Sequence, residues 1–269
     1  MEQNIYNNEQ TYNQPTQPAQ QGRKFNTNQM SLLSRAMLAA GVGFILIALV
    51  GLGFFYLMLN TPVDITLMWV LSIILIIVAM ILSMVMTYKL QTASKALVFS
   101  VWAVYIIAEG IGFGILFAAF YVQFTASKAI SYLLLIFAAG GLSFLICALI
   151  GKKMSLRATI ALGKWVWYMS LGFMAIMFVT FLATIIVSFT TSGGFMGSGL
   201  WLMIVGLSTI LFFLYMVWDM AMISKMQSFM QINDSKFAFN LVMFFGWRLL
   251  VDLVGLVWNI ALLVLRFAR

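Results

Sequence analysis

The chain has 269 residues, 64% of them hydrophobic and only 8% charged, which is far more apolar surface than a soluble domain of this length needs. Its net charge of +8 comes from basic residues that lie mostly between apolar runs, so it reports topology and not nucleic-acid binding. Histidine is absent, which excludes His-based zinc sites, His general bases and the usual near-neutral proton sensor.

Any response to pH is therefore left to carboxylates. A single cysteine, Cys147, excludes an intrachain disulfide and reads as a small buried hydrophobe. Stretches of about 20 apolar residues recur with short polar breaks, the pattern of transmembrane helices. Backbone polar groups must be satisfied within each span, so an all-α transmembrane bundle is predicted. The short alternating segments of a β-barrel are missing from the pattern.

Residues 1–30 form an Asn- and Gln-rich tail with Pro15 and Pro18, expected to be disordered and cytoplasmic. The apolar segment after it starts too late and runs too long for a cleavable signal peptide. Residues 31–269 then carry seven predicted spans. The first runs from Ala36 to Leu59 and stops at Asn60, Thr61 and Pro62. The second covers Ile65 to Tyr88, the third Ala96 to Val122, and the fourth Ala129 to Ile150. The fifth covers Trp165 to Phe189 and leads into TTSGGFMGSG, expected to be a flexible loop. The sixth covers Leu200 to Met222 and the seventh Phe237 to Leu265.

Lysine and arginine set the expected orientation in the cell membrane. One side receives Arg23, Lys24, Arg35, Lys89, Lys95, Lys152, Lys153, Arg157, Lys164, Lys225 and Lys236. The other receives Lys128, Arg266 and Arg269. The first side is expected to be cytoplasmic, with the N-terminus inside and the C-terminus outside. The two C-terminal arginines argue against that assignment, and a re-entrant last helix is the alternative. No internal repeat is evident, which lowers the case for an inverted-repeat transporter.

Four charged residues fall inside these spans: Glu109, Asp219, Arg248 and Asp252. A charge at the bilayer centre costs roughly 2.5–3.5 kcal/mol on the insertion scale, so such residues face a protein interior or a wet cavity. In the last span Arg248, Asp252, Gly255 and Asn259 are spaced to share one stripe of a helix. That stripe reads either as a polar core line or as a simple Arg248–Asp252 pair one turn apart. Asp219 sits near the end of the sixth span. It is either an interfacial carboxylate held near Lys225 or one member of a carboxylate pair with Asp252. Two carboxylates in a low-dielectric site cannot both ionise cheaply, so a shared proton would act as a pH-dependent latch.

Glu109 lies in IIAEGIGFG, where Gly110 and Gly114 form a GxxxG pair suited to close helix packing. Packing does not need a carboxylate, so Glu109 is assigned to the polar core. No phosphate-binding loop is read here, because no strand precedes it. Serine chemistry at Ser198 lacks a histidine, HExxH is absent, and the glycine-rich context of an intramembrane aspartyl protease is missing. The chain is accordingly expected not to be an enzyme, and no cofactor or resident metal is indicated.

Several short elements in order resemble the Bax inhibitor-1 family, particularly its YccA-like bacterial branch. YMVWDMAMISK at the end of the sixth span is similar to that family's penultimate helix. FFGWRLLVDLVGLVWNIALLVLRF is similar to its acid-bearing last helix, EGIGFG to its Glu-Gly element, and GKKMSLRAT to its basic loop. The resemblance covers the chain from about Ser31 onward. It implies a seven-helix bundle with the last helix at its centre. It also implies a pH-sensitive calcium leak gated by an aspartate pair, with Asp219 as the first member. The second acid of the family pattern falls at Leu256 or Asn259, one or two turns from Asp252, and Arg248 beside it would weaken cation binding. Two carboxylates with Asn259 and backbone carbonyls would form a weak transit site for Ca2+. Members of the family also restrain a membrane protease, so a non-conducting regulator of such a partner is the alternative, with a small-solute transporter third.

Overall fold

The computed structural model describes residues 31–61, 64–89, 92–190, 198–229 and 235–268. The N-terminal tail, residues 191–197 of the loop expected to be flexible, and Arg269 lie outside the described residues. Seven α-helices make up nearly all of what is described, with no strand among those residues. They are α1 (Leu32–Asn60), α2 (Ile65–Tyr88), α3 (Lys95–Gln123), α4 (Ala126–Lys153), α5 (Leu156–Thr190), α6 (Ser198–Phe229) and α7 (Ser235–Phe267). All seven are long and apolar enough to cross a bilayer, so the chain is an all-α, multi-pass membrane protein.

The helices overrun the apolar windows because caps, not polarity, end them. Ser31 accepts from Ser34 N at 3.1 Å and starts α1 four residues ahead of the expected Ala36. Ser94 does the same for α3 through Leu97 N at 3.2 Å. Ser155 accepts from Ala158 N at 3.2 Å, so α5 begins at Leu156, well before Trp165. The expected basic loop GKKMSLRAT is thereby corrected. Only Met154 and Ser155 separate α4 from α5, and the basic residues ride on the helix ends. Likewise α6 continues past Met222 through Lys225 to Phe229, with no glycine or proline to stop it.

Successive helices run up and down. Gln123 Nε2 donates to Leu265 O at 3.0 Å and Trp102 Nε1 to Met243 O at 3.3 Å, so α3 and α7 are parallel. α7 is one unbroken helix of 33 residues that ends on the face where α3 ends. It crosses the bundle fully, and the re-entrant alternative is not what forms. α7 touches α1, α3, α4 and α6 and is central, as expected. It shares the centre with α3, the most enclosed helix, while α5 packs chiefly on α6.

Small residues let the inner helices close up. A Cβ added at Gly51 would lie 2.8 Å from Phe113 Cβ, and one added at Gly114 would lie 2.8 Å from Phe54 Cβ. The Gly110–Gly114 pair therefore packs against α1, the role read from its spacing. Gly112 faces the other way, where an added Cβ would meet Trp258 Cζ2 at 2.9 Å. Cys147 is buried, and its thiol donates to Phe213 O at 3.8 Å.

Candidate functional site

The polar residues of the spans gather along α7, facing α6 on one side and α3 on the other. Asp219 on α6 is 4% exposed, so it is not the interfacial carboxylate reaching water that its position near a span end allowed. Its partner is Arg248 on α7, with Nη2 2.5 Å from Oδ1. The guanidinium also lies over the Trp218 ring, 5.6 Å from its centroid. The Arg248–Asp252 pair that the spacing along α7 permitted does not form. Arg248 reaches across to α6, and one face of its helix serves a neighbour instead of itself.

Asp252, one turn after Arg248, is buried, and its Oδ2 has no hydrogen-bond partner among the described residues. It interacts electrostatically with Asp219, Arg248, Tyr105 on α3 and Cys147 on α4, which puts it at the junction of four helices. Arg248 thus interacts with two aspartates from separate helices and is bonded to one of them. Asn259, two turns further along α7, is also buried, with its Nδ2 unpartnered among the described residues. Gly255, between Asp252 and Asn259, lies against the Phe212 ring of α6.

Glu109 belongs to a second cluster beside the first. Trp258 Nε1 donates to its Oε2 at 3.0 Å, and Gly112 leaves the room that the indole occupies. Tyr105, one turn earlier on α3, approaches the same carboxylate and also senses Asp252. Ser72 on α2 donates to Ala108 O at 2.8 Å and closes this cluster on its far side. A cavity of about 490 Å³ opens here, lined from α2, α3, α6 and α7 by residues that include Ser72, Tyr105, Glu109, Trp247 and Trp258.

All five residues named from the sequence are therefore interior or partly so, and four of them fall in two neighbouring groups. Asp219, Arg248 and Asp252 form one, Glu109 anchors the other, and Asn259 bonds to neither. Tyr105, Trp258 and Trp247 were missed. The i, i+4 spacing of Tyr105 and Glu109 was the available signal. Trp258 carried none, because an indole in an apolar span reads as filler until its N–H meets a carboxylate. No group of three or more His, Cys, Asp or Glu side chains able to hold a metal occurs among the described residues.

Chemically, the first cluster can exchange a proton against an ion pair. The pair Asp219–Arg248 exists only while Asp219 is ionised, and Asp252, one turn along α7, interacts electrostatically with both members. No protein-family model matches the chain, and no curated protein matches it.

Proposed function

We propose that the chain is a non-enzymatic, Bax inhibitor-1-like protein of the cell membrane, and a pH-sensitive leak for cations such as Ca2+. In this reading the N-terminus is cytoplasmic and the C-terminus lies outside. The latch is the Asp219–Arg248 pair between α6 and α7, with Asp252 as its alternative partner. The observation that carries the reading is the buried Oδ2 of Asp252, without a hydrogen-bond partner among the described residues, one turn from an arginine already bonded elsewhere. Leaving such a group unsatisfied costs about 1–3 kcal/mol, a cost that folding alone does not require. Calcium enters as the transported ion, met in passing by carboxylates and backbone oxygens.

The sign follows from the charges. Protonating Asp219 removes the partner that holds Arg248, so α6 and α7 lose their ionic clasp as pH falls. Asp252, on the same helix as Arg248, faces the clasp, and Tyr105 on α3 and Cys147 on α4 face Asp252 in turn. Of these only Asp252 can exchange charge with Asp219 in the acid range. Flux through the reconstituted protein should therefore rise on acidification. Asp219→Asn, which imitates the protonated form, should raise flux at neutral pH and flatten its pH profile. Asp252→Asn should shift the profile without abolishing it. Proteoliposome calcium flux against pH is the measurement. If neither substitution alters flux or its profile, the latch is wrong. If no ion moves at any pH, a non-conducting regulator of a membrane partner takes its place.

A further inference from the structure

The Glu109 cavity is distinct from the clasp and has its own chemistry. It separates α2 from α7, since α2 packs on α3 and makes no comparable contact with α7. Its volume of about 490 Å³ lies in the range of sites that enclose a small organic ligand. Among the described residues no lysine or arginine lines it, Glu109 and Tyr105 are its ionisable groups, and the remainder is largely apolar, with Ile76, Leu116, Val254 and Leu262 among the lining residues. A carboxylate accepts about four hydrogen bonds, and the Trp258 indole both supplies one and fixes its orientation. Trp247 also lines the cavity and carries a buried Nε1–H without an acceptor among the described residues. From Glu109 to Ala119, α3 advances ten residues, or about 15 Å, roughly the length of a dozen-carbon chain.

We infer that this cavity is a binding site for a long-chain amine amphiphile taken from the bilayer. The ammonium group sits on Glu109, and the alkyl tail runs along the slot toward Ala119 and Leu265. An oxygen beside the amine, as in an amino alcohol, would satisfy the N–H of Trp247. A cation is the complementary head group because the site offers a carboxylate with no basic residue beside it. An ordinary fatty acid would bring a second carboxylate to Glu109, and an alcohol would leave the charge uncompensated. The site does not depend on ion conduction. It stands if the protein conducts nothing, and it falls without touching the Asp219–Arg248 clasp.

The test uses the full chain in nanodiscs and a dodecylamine brominated at mid-chain, which brings the bromine within short quenching range of the tryptophans at the head-group end. Trp247 and Trp258 in the cavity should be quenched saturably. The matching brominated alcohol and fatty acid should bind more weakly by about tenfold or more, the difference expected of one charge-assisted contact. Glu109→Gln keeps an acceptor for Trp258 and should erase the preference for the amine. Ala119→Phe, which fills the tail end without touching Glu109, should weaken amine binding while leaving the order of head groups unchanged. Equal binding of all three amphiphiles would overturn the site, as would unchanged amine binding in Glu109→Gln. Should Glu109→Gln not fold, the head-group comparison in the native chain and in Ala119→Phe decides alone.

Discussion

At the scale of single residues, the clasp between Asp219 and Arg248 is more than a surface ion pair. The Asp219 side chain is 5% exposed and that of Arg248 33%, so one charge has left solvent and the other has partly done so. A fully buried pair costs about 3–5 kcal/mol when one partner is removed, and exposure of the arginine lowers that figure. A double-mutant cycle with Asp219→Asn and Arg248→Gln should give a coupling energy of about 1–3 kcal/mol, read from unfolding in mild detergent. A coupling near zero would mean that the two side chains are held by their helices alone. Both acids were visible as charged residues in apolar spans. The partner of Arg248 was not, because sequence distance favours the neighbour one turn away while the fold turns the guanidinium toward α6.

At the scale of helices, the bundle closes by removing side chains at chosen points. Gly51 and Gly114 sit where α1 and α3 touch through backbone and Cβ atoms, whereas Gly41, Gly53, Gly141 and Gly172 have open space where a Cβ would go. Gly114→Val should cost roughly 1–3 kcal/mol by overpacking. Gly53→Ala and Gly141→Ala should be neutral, or stabilising by up to about 1 kcal/mol, through helix propensity. Thermal melting of the detergent-solubilised variants separates the two classes, and similar losses at both sites would contradict the α1–α3 contact. The GxxxG spacing at Gly110 and Gly114 announced a packing face. That the face belongs to α1, and that Gly112 instead clears space for Trp258, follows only from how the helices are arranged.

For the whole molecule, charge asymmetry and the up-and-down path agree. Lys95 and Lys236 lie at the shared starting face of α3 and α7, where Lys236 Nζ donates to Thr92 O at 3.5 Å and Lys95 lies 5.8 Å from the Phe239 centroid. Arg266 lies at the opposite end of α7, and Lys128 opens α4 on that same face. In a Cys147→Ala background, cysteines at Lys89, Lys152 and Lys236 should be labelled by a membrane-impermeant reagent from one side only, and one at Lys128 only from the other. The positive-inside bias predicts that the first side is the cytoplasmic one. Labelling of Lys128→Cys and Lys152→Cys from the same side would break the topology.

Composition and apolar run length by themselves determined the membrane class, the seven spans and the presence of charges that must face inward. Those are local properties, since a bilayer demands about 20 apolar residues per crossing whatever the neighbouring helices do. Helix ends were legible only approximately, because capping serines override hydropathy. Which charges meet was decided by tertiary structure alone. The clasp of Arg248 on Asp219, the indole of Trp258 on Glu109 and the unpartnered oxygen of Asp252 each join helices far apart in the chain, or record a failure to join them. A periodic pattern names the face a residue occupies, while the packing angle and rotation of the opposing helix choose its partner.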